Sequence, residues 1–481
     1  MSHRASILGR GYSDHVLDSP RVRFRRALIL CLMTIVAPGS AQIAVGNKWI
    51  GRIALTMWVA LLGGVGYLAF TARIDRRQIL NLLTDTDALF IARVAIISVA
   101  VLWILLFLDA WRLASPFKLN FMRAAVLTAL NLAIIASAVG STAYASQVIH
   151  VQRKVVKEVF KETKKSTPLQ GRYNILLLGS DSGKGRTGVR PDSMTVASVD
   201  ADTGKTVLIS LPRNLQNVPF PDDSPMHTVY PNGFNCGSEC LLNAVHTYAA
   251  NRKDLYPGST DPGLDAQIDA ISGVTGLKIN YYIMINMKGF RSLVDAVGGV
   301  QVDVKSRIAM FGHDDAYVNK FIEPGDQKLT GTQALWYARS RVQSDDYSRM
   351  ARQKCLMSAM LHELSPQTVL LNATKILASG QQLLSTTVPQ AELGKFADLA
   401  LKSRKEKIAT VSLVPPEVST VTPDFVQIQK LIADAIKKSE ETESPDPAAT
   451  SEAPTDPATG TATPDPNQRK ANTTSDLQNS C

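Results

Sequence analysis

Four long apolar runs crowd the first 147 residues: about Ala27 to Val45, Ile53 to Phe70, Ala88 to Leu108 and Ala124 to Ala145. Each approaches the roughly 20 residues that a helix needs to cross a bilayer core, where every backbone polar group must be satisfied within its own segment. The N-terminal quarter is therefore helical and membrane-embedded, and a single cleaved signal peptide is excluded. Pro38-Gly39-Ser40 breaks the first run and suits a re-entrant hairpin. With the hairpin, the positive segments at Arg21, Arg23, Arg25 and Arg26, at Lys48 and Arg52, and at Arg112, Lys118 and Arg123 all face the cytoplasm. The loop from Arg73 to Asp87, three arginines against three aspartates, faces the other side. Three spans plus the hairpin then export everything after residue 147; four full spans are the alternative. The expected location is the cell membrane, multi-pass, with an extracytoplasmic folded domain.

The formal net charge is +10. Much of it lies in the juxtamembrane loops, where anionic headgroups are the natural partner, and no helix-turn-helix or finger spacing accompanies it. A membrane partner is expected and nucleic acid is not. Of five cysteines, Cys31 lies in an apolar run, Cys355 in a helical stretch and Cys481 at the last position. Cys236 and Cys240, the one close pair, read as a small disulfide in an oxidising exterior, with a zinc site using His227 or His246 as the lesser alternative.

The organisation follows from composition. Residues 1–26 form a basic cytoplasmic N-terminus, 27–146 the membrane region, and 147–172 a basic stalk that also reads as a continuation of the last membrane helix. Residues 173–416 form the globular domain, 417–438 a helical extension, and 439–481 a Pro/Thr/Ala-rich tail without aromatic residues, read as disordered. Strand-like runs recur at Asn174–Leu178, Met194–Val199, Val207–Leu211, Tyr281–Met287, Val300–Val304 and Ile408–Leu413. Helix-length segments at Leu241–Ala250, Leu264–Val274 and Lys288–Val297 lie between them. The fold class is α/β. The close hairpin around Asp202-Thr203-Gly204 makes the sheet mixed, flanked by helices.

Chemistry concentrates between Asp181 and Arg213, where carboxylates and guanidinium groups surround the loop GSDSGKGRTGVRPDSM. Hard divalent cations take carboxylate oxygens and arginine grips phosphate bidentately, so this mixture suits a bound cation and a polyphosphate. The loop fails the GxxxxGK[ST] pattern, since the position five after Gly179 is Lys184 rather than glycine, and GSDSG fails as a nucleophile elbow, since its third residue is Asp181. Asp181 at a strand end and Asp192 after the loop are candidate magnesium (or manganese) ligands. Arg213 follows Leu211-Pro212, read as an edge strand and a rigid turn. Far along the chain, YARSRVQSDDYSRMARQK supplies Arg339 and Arg341, whose alternation reads as one extended face, and Arg349 and Arg352, which share a helix face. A lone Asp or Arg is usually a surface ion pair; the convergence of two such segments carries the signal.

NILLLGSD, RPDSM, SLPRN, INYYIMINMKGFRSLVDAVGGVQVDV, GDQKLTGTQALWYARSR and DDYSRMARQK together resemble successive motifs of the LytR-CpsA-Psr family of bacterial cell-wall ligases, from roughly Tyr173 to Pro416. The resemblance implies an enzyme that moves a glycopolymer from a polyprenyl-pyrophosphate carrier to peptidoglycan by attack at phosphorus, a metal-dependent phosphoglycosyl transfer. It makes Asp181 and Asp192 the cation ligands and Arg190, Arg213, Arg339, Arg341 and Arg349 the pyrophosphate ligands, supported by Arg352 and Gln353. Arg213 and Arg341 then also act in catalysis, and Asp346, or failing it Asp345, is the base for the incoming hydroxyl. The family's SIPRD-like motif often ends in Asp where this chain has Asn214. The multi-span N-terminus, the Cys236/Cys240 pair and the tail are similar to actinobacterial members, which implies an arabinogalactan-like polymer. A polyprenyl-pyrophosphate phosphatase and a membrane-bound regulator without turnover are the alternatives.

Overall fold

The computed structural model describes residues 20–160, 165–180, 191–311, 320–342, 344–363, 384–441, 472, 476–477 and 480–481. Two compact units divide the chain, Met1–Lys154 and Val155–Cys481.

The regular structure described in the first unit is helical: α1 (Pro20–Val36), α2 (Ser40–Val45), α3 (Lys48–Ile74), α4 (Arg76–Thr84), α5 (Thr86–Leu113) and the start of α6 (Phe121–Val159). Gly39 stands between α1 and α2 at a φ of 95°, a left-handed conformation natural to glycine, so the first apolar run does break where Pro38-Gly39 falls. Lys48–Ile74, Thr86–Lys118 and Phe121–Lys154 are long and apolar enough to cross a membrane. Two polar side chains here find carbonyl partners: Gln42 Nε2 donates to Leu106 O at 3.0 Å and Trp103 Nε1 to Thr34 O at 3.0 Å. The stalk continues α6 as far as Val159.

Among the described residues the second unit contains ten strands: β1 (Arg172–Ser180), β2 (Pro191–Asp200), β3 (Thr206–Leu211), β4 (Tyr281–Asn286), β5 (Val300–Val304), β6 (Ile308–Met310), β7 (Lys320–Ile322), β8 (Gly325–Leu329), β9 (Leu384–Thr386) and β10 (Ala409–Ser412). Its helices are α7 (Pro225–Val229), α8 (Val245–Ala250), α9 (Pro262–Thr275), α10 (Met287–Ala296), α11 (Gly331–Arg339), α12 (Asp346–Glu363), α13 (Leu393–Ser403) and α14 (Phe425–Glu440). Six strands form one mixed sheet in the order β10-β3-β2-β1-β4-β9, with β1–β4 and β3–β10 parallel and the other pairs antiparallel.

Side chains alternate across a strand, and the sheet uses this to feed two cores. Leu176, Leu178, Val196, Val207 and Ile209 pack with α9 and α14 residues such as Ile271 and Ile428. Tyr173, Ile175, Val199 and Leu208 face the other way, against Leu399 and Leu477. Each fully buried aliphatic side chain contributes about 1.5–3 kcal/mol by area. A third core joins β5, β6, β7 and β8 to α11 and α12 through Val302, Ile322, Tyr337 and Leu356. Helix α12 belongs to two cores, with Cys355 and Leu356 in one and Met357 and Leu361 in the other.

Three local expectations change. Strand β3 is not an edge, because β10 pairs alongside it from Val207 to Ser210. Arg339 and Arg341 share no extended face: Arg339 is the last residue of α11, Ser340 breaks the helix at ψ 135°, and Arg341 follows. Leu241–Ala250 is a 3-10 turn followed by the six-residue α8 rather than one helix. The tail read as disordered also contributes ordered residues. Asp476 bridges to Ala409, Leu477 is 1% exposed, and Cys481 is bonded to Cys355, while 442–471 lie outside the described residues.

Candidate active site

The site lies where β2, the turn after β3 and the start of α12 meet. A β-bulge delivers the first group. Gly179 pairs with Ser193 but Ser180 pairs with Pro191, so Asp192 is the extra residue on its strand. Bulges re-aim side chains in this way. Arg213 follows the end of β3, and its carbonyl accepts from Asn243 N at 3.1 Å, which fixes the turn. Asp346 opens α12, where the helix dipole favours an anion.

These three side chains interlock. Arg213 Nη1 donates to Asp192 Oδ1 at 2.8 Å and its Nε to Asp346 Oδ1 at 3.2 Å, so one guanidinium joins the sheet to α12. Asp346 Oδ2 accepts from Arg349 Nη2 at 3.1 Å, and Arg341 Nε lies 3.9 Å from Oδ1. One carboxylate thus serves three guanidinium groups. Burial lowers the pKa of Arg349, 3% exposed, with Arg213 pushing the same way and Asp346 opposing. Burial also lowers that of Arg341, together with Arg213, against Asp346 and Asp192. Cations crowded this way favour a bound anion, above all one with several oxygens.

The other expected ligands have different positions. Arg352 donates to Ser340 O and, at 3.4 Å, to Ser344 Oγ, and Gln353 Nε2 donates to Ala338 O at 3.1 Å. Both hold the turn that carries Arg341 rather than joining the cluster. Burial lowers the Arg352 pKa to about 10. Arg339 has its Cζ 5.7 Å from the Trp336 ring centroid, and its charge reaches Arg341. Asp345 caps α12, accepting from Ser348 N at 2.7 Å and Ser348 Oγ at 2.6 Å, which leaves Asp346 as the carboxylate facing the arginines. Asp181 and Arg190 lie outside the described residues. Asn214 Oδ1 is buried and meets no donor among the described residues. Cys236 and Cys240 form a disulfide with Cα atoms 5.4 Å apart.

Of the two carboxylates expected to hold a cation, only Asp192 is described; it is a quarter exposed and meets Arg213 through one oxygen, and no cluster of three or more metal-ligating side chains occurs among the described residues. A cleft between the sheet and α12 is lined by Asp192, Met194, Leu208, Met350, Lys354 and Leu477.

Lys354 was not singled out in the sequence, because nothing in a basic run marks one lysine as buried. It is 5% exposed, and burial lowers its pKa to about 8, opposed by the charge of Asp476. Below pH 8 Lys354 is charged in both folded and unfolded chains, and its desolvation cost is fully felt. From about pH 8 to 10.5 the unfolded chain binds more protons, so this group makes stability rise with pH. Lys354→Met is expected to raise the melting temperature at pH 7, and the gain should shrink by pH 10. A gain that stays constant across that range would contradict the assignment.

The LytR_cpsA_psr family model matches residues 139–442, well over half of the chain. The polyisoprenyl-teichoic acid–peptidoglycan teichoic acid transferase TagU of Bacillus mycoides is 27% identical over 267 residues, 53% of this chain and 76% of the relative. Its counterpart from Bacillus cereus is 28% identical over 270 residues, again 53% and 76%. Among solved structures, TagV of B. subtilis is similar at 22% identity and a TM-score of 0.40, covering 57% of this chain and all of that one. The family match rests on the segment that carries Asp192, Arg213, Arg341, Asp346 and Arg349, and the chain belongs to the LytR_cpsA_psr family.

Proposed function

We propose that this protein is a phosphotransferase that moves a glycopolymer from a polyprenyl-pyrophosphate carrier onto peptidoglycan at the outer face of the membrane. The observation that carries the reading is the single carboxylate, Asp346, bound by Arg213 and Arg349 with Arg341 beside it. Similarity to transferases named for polyisoprenyl-linked teichoic acid and peptidoglycan supports the substrate class. Three helices fit to cross a membrane support retention beside a lipid-borne donor.

In this reading the pyrophosphate oxygens displace Asp346 from Arg213, Arg341 and Arg349 and take their hydrogen bonds. Asp346 is then released to accept the proton of an acceptor sugar hydroxyl. That hydroxyl attacks the phosphorus nearer the glycan, the bond to the outer phosphate breaks, and lipid monophosphate leaves while the arginines hold its growing charge. A magnesium or manganese ion on Asp192, joined by Asp181, would neutralise further phosphate charge. Arg190 and Arg339 complete the grip, with Arg352 and Gln353 fixing the turn beneath Arg341. The transferred polymer is arabinogalactan-like, as the multi-span N-terminus suggests.

Phosphorus in the new linkage is the test. Transfer of a glycan labelled in the sugar-proximal phosphate should place the label in peptidoglycan. Label released with the lipid would show attack at carbon, and label released as free glycan phosphate without attachment would show a phosphatase.

A further inference from the structure

The cluster has two walls, and both are fastened to one distant segment. One wall is α12, which carries Asp346 and Arg349; the other is β3 and its turn, which carry Arg213. Asn472 Nδ2 donates to Tyr347 O at 2.8 Å, next to Asp346. Asp476 bridges to Ala409 on β10, which pairs directly with β3, and its negative charge favours the charged form of the buried Lys354 of α12. Leu477 N donates to Ile408 O at 2.9 Å, and its side chain lines the cleft between the walls. Cys481 closes the series with a disulfide to Cys355, Cα to Cα 4.9 Å. The segment therefore meets α12 at Tyr347, Lys354 and Cys355, and meets the sheet at Ile408 and Ala409.

We propose that Asn472, Asp476, Leu477 and Cys481 form a positioning strap, which sets the spacing between Arg213 on the sheet side and Asp346 and Arg349 on α12 and so tunes the grip on pyrophosphate. The physical argument is one of leverage. Among the described residues, the Arg213 contact to Asp346 is a single 3.2 Å hydrogen bond across the two walls, and three like-charged guanidinium groups favour their separation. A polyphosphate must be met by groups from both walls at once, and a misplacement of about 1 Å costs up to about a hundredfold in such a site. A covalent tie one helical turn or two beyond Arg349 resists that drift in a way a surface ion pair does not. Among the described residues, none of these four is bonded to a proposed phosphate ligand, so they act through α12 and β10. This inference rests on the pyrophosphate-binding reading above.

The test uses the full chain in detergent, with inorganic pyrophosphate as the probe and titration calorimetry as the readout. Cys481→Ser and Asn472→Ala should each weaken pyrophosphate binding about tenfold or more at a temperature where both variants remain folded. Dithiothreitol should weaken the wild type to the level of Cys481→Ser and leave that variant unchanged, which separates this disulfide from Cys236–Cys240. Should Cys481→Ser fail to fold, Asn472→Ala and Leu477→Ala carry the same expectation. Unchanged affinity with only a lower melting temperature would reduce the strap to a staple and overturn the proposal. Wild type that binds no pyrophosphate would overturn the binding reading as well, an outcome distinct from wild-type binding that the strap variants share.

Discussion

Replacing Arg213 by alanine is expected to lower transfer by roughly two to three orders of magnitude, the scale of losing one preorganised charged donor at a developing anion. No other described side chain spans the site as this one does, with Nη1 on Asp192 and Nε on Asp346. Alanine removes the phosphate contact and also leaves both carboxylates without their shared cation. Arg213→Lys separates charge from shape. Lysine keeps the positive charge but lacks the planar fork, so it should recover only part of the loss. Full recovery by lysine, measured as kcat/KM with the same donor, would show that charge alone matters and that the bridging geometry does not.

Asp346→Asn makes a second large prediction with an unusual signature. In the ligand-free protein Asp346 holds Arg213 and Arg349 at 3.2 and 3.1 Å, with Arg341 3.9 Å away. Removing its charge leaves a buried guanidinium uncompensated, a defect worth about 3 kcal/mol of stability. Saturating pyrophosphate supplies the missing negative charge and stabilises the folded state by mass action. The variant should therefore melt lower than the wild type and gain more from pyrophosphate, while transfer to a glycan hydroxyl is lost with its proton acceptor. Equal melting temperatures with equal gains from pyrophosphate would remove Asp346 from the centre of the site.

Much of this was legible in the residues, for identifiable reasons. Strands β1 to β5 and β10 show apolar runs bounded by turn residues, and the Asp202-Thr203-Gly204 turn announces the hairpin between β2 and β3. Strands β6, β7 and β9 have three residues each, too few to establish a period, and their pairing is set by tertiary neighbours. The position of β3 inside the sheet depended on β10, some two hundred residues later, which no local pattern can report.

Asp192, Arg213, Arg341, Asp346 and Arg349 do come together, because motif spacing records which residue types a phosphate site needs. Motif membership could not separate Arg349, which meets Asp346, from Arg352, which meets Ser340 and Ser344. The two lie three apart on one helix and both are buried, so only their hydrogen-bond partners tell them apart. Composition also gives no sign, in a Pro/Thr/Ala-rich stretch, that Asn472, Asp476, Leu477 and Cys481 meet the folded domain.

The most direct measurement is transfer of a labelled polyprenyl-pyrophosphate glycan to peptidoglycan by the full chain with divalent metal, comparing wild type with Arg213→Ala and Asp192→Ala. The account predicts metal-dependent attachment by the wild type that both substitutions lower by about two orders of magnitude or more. Attachment that survives both would contradict a site built on the Asp192–Arg213–Asp346 junction.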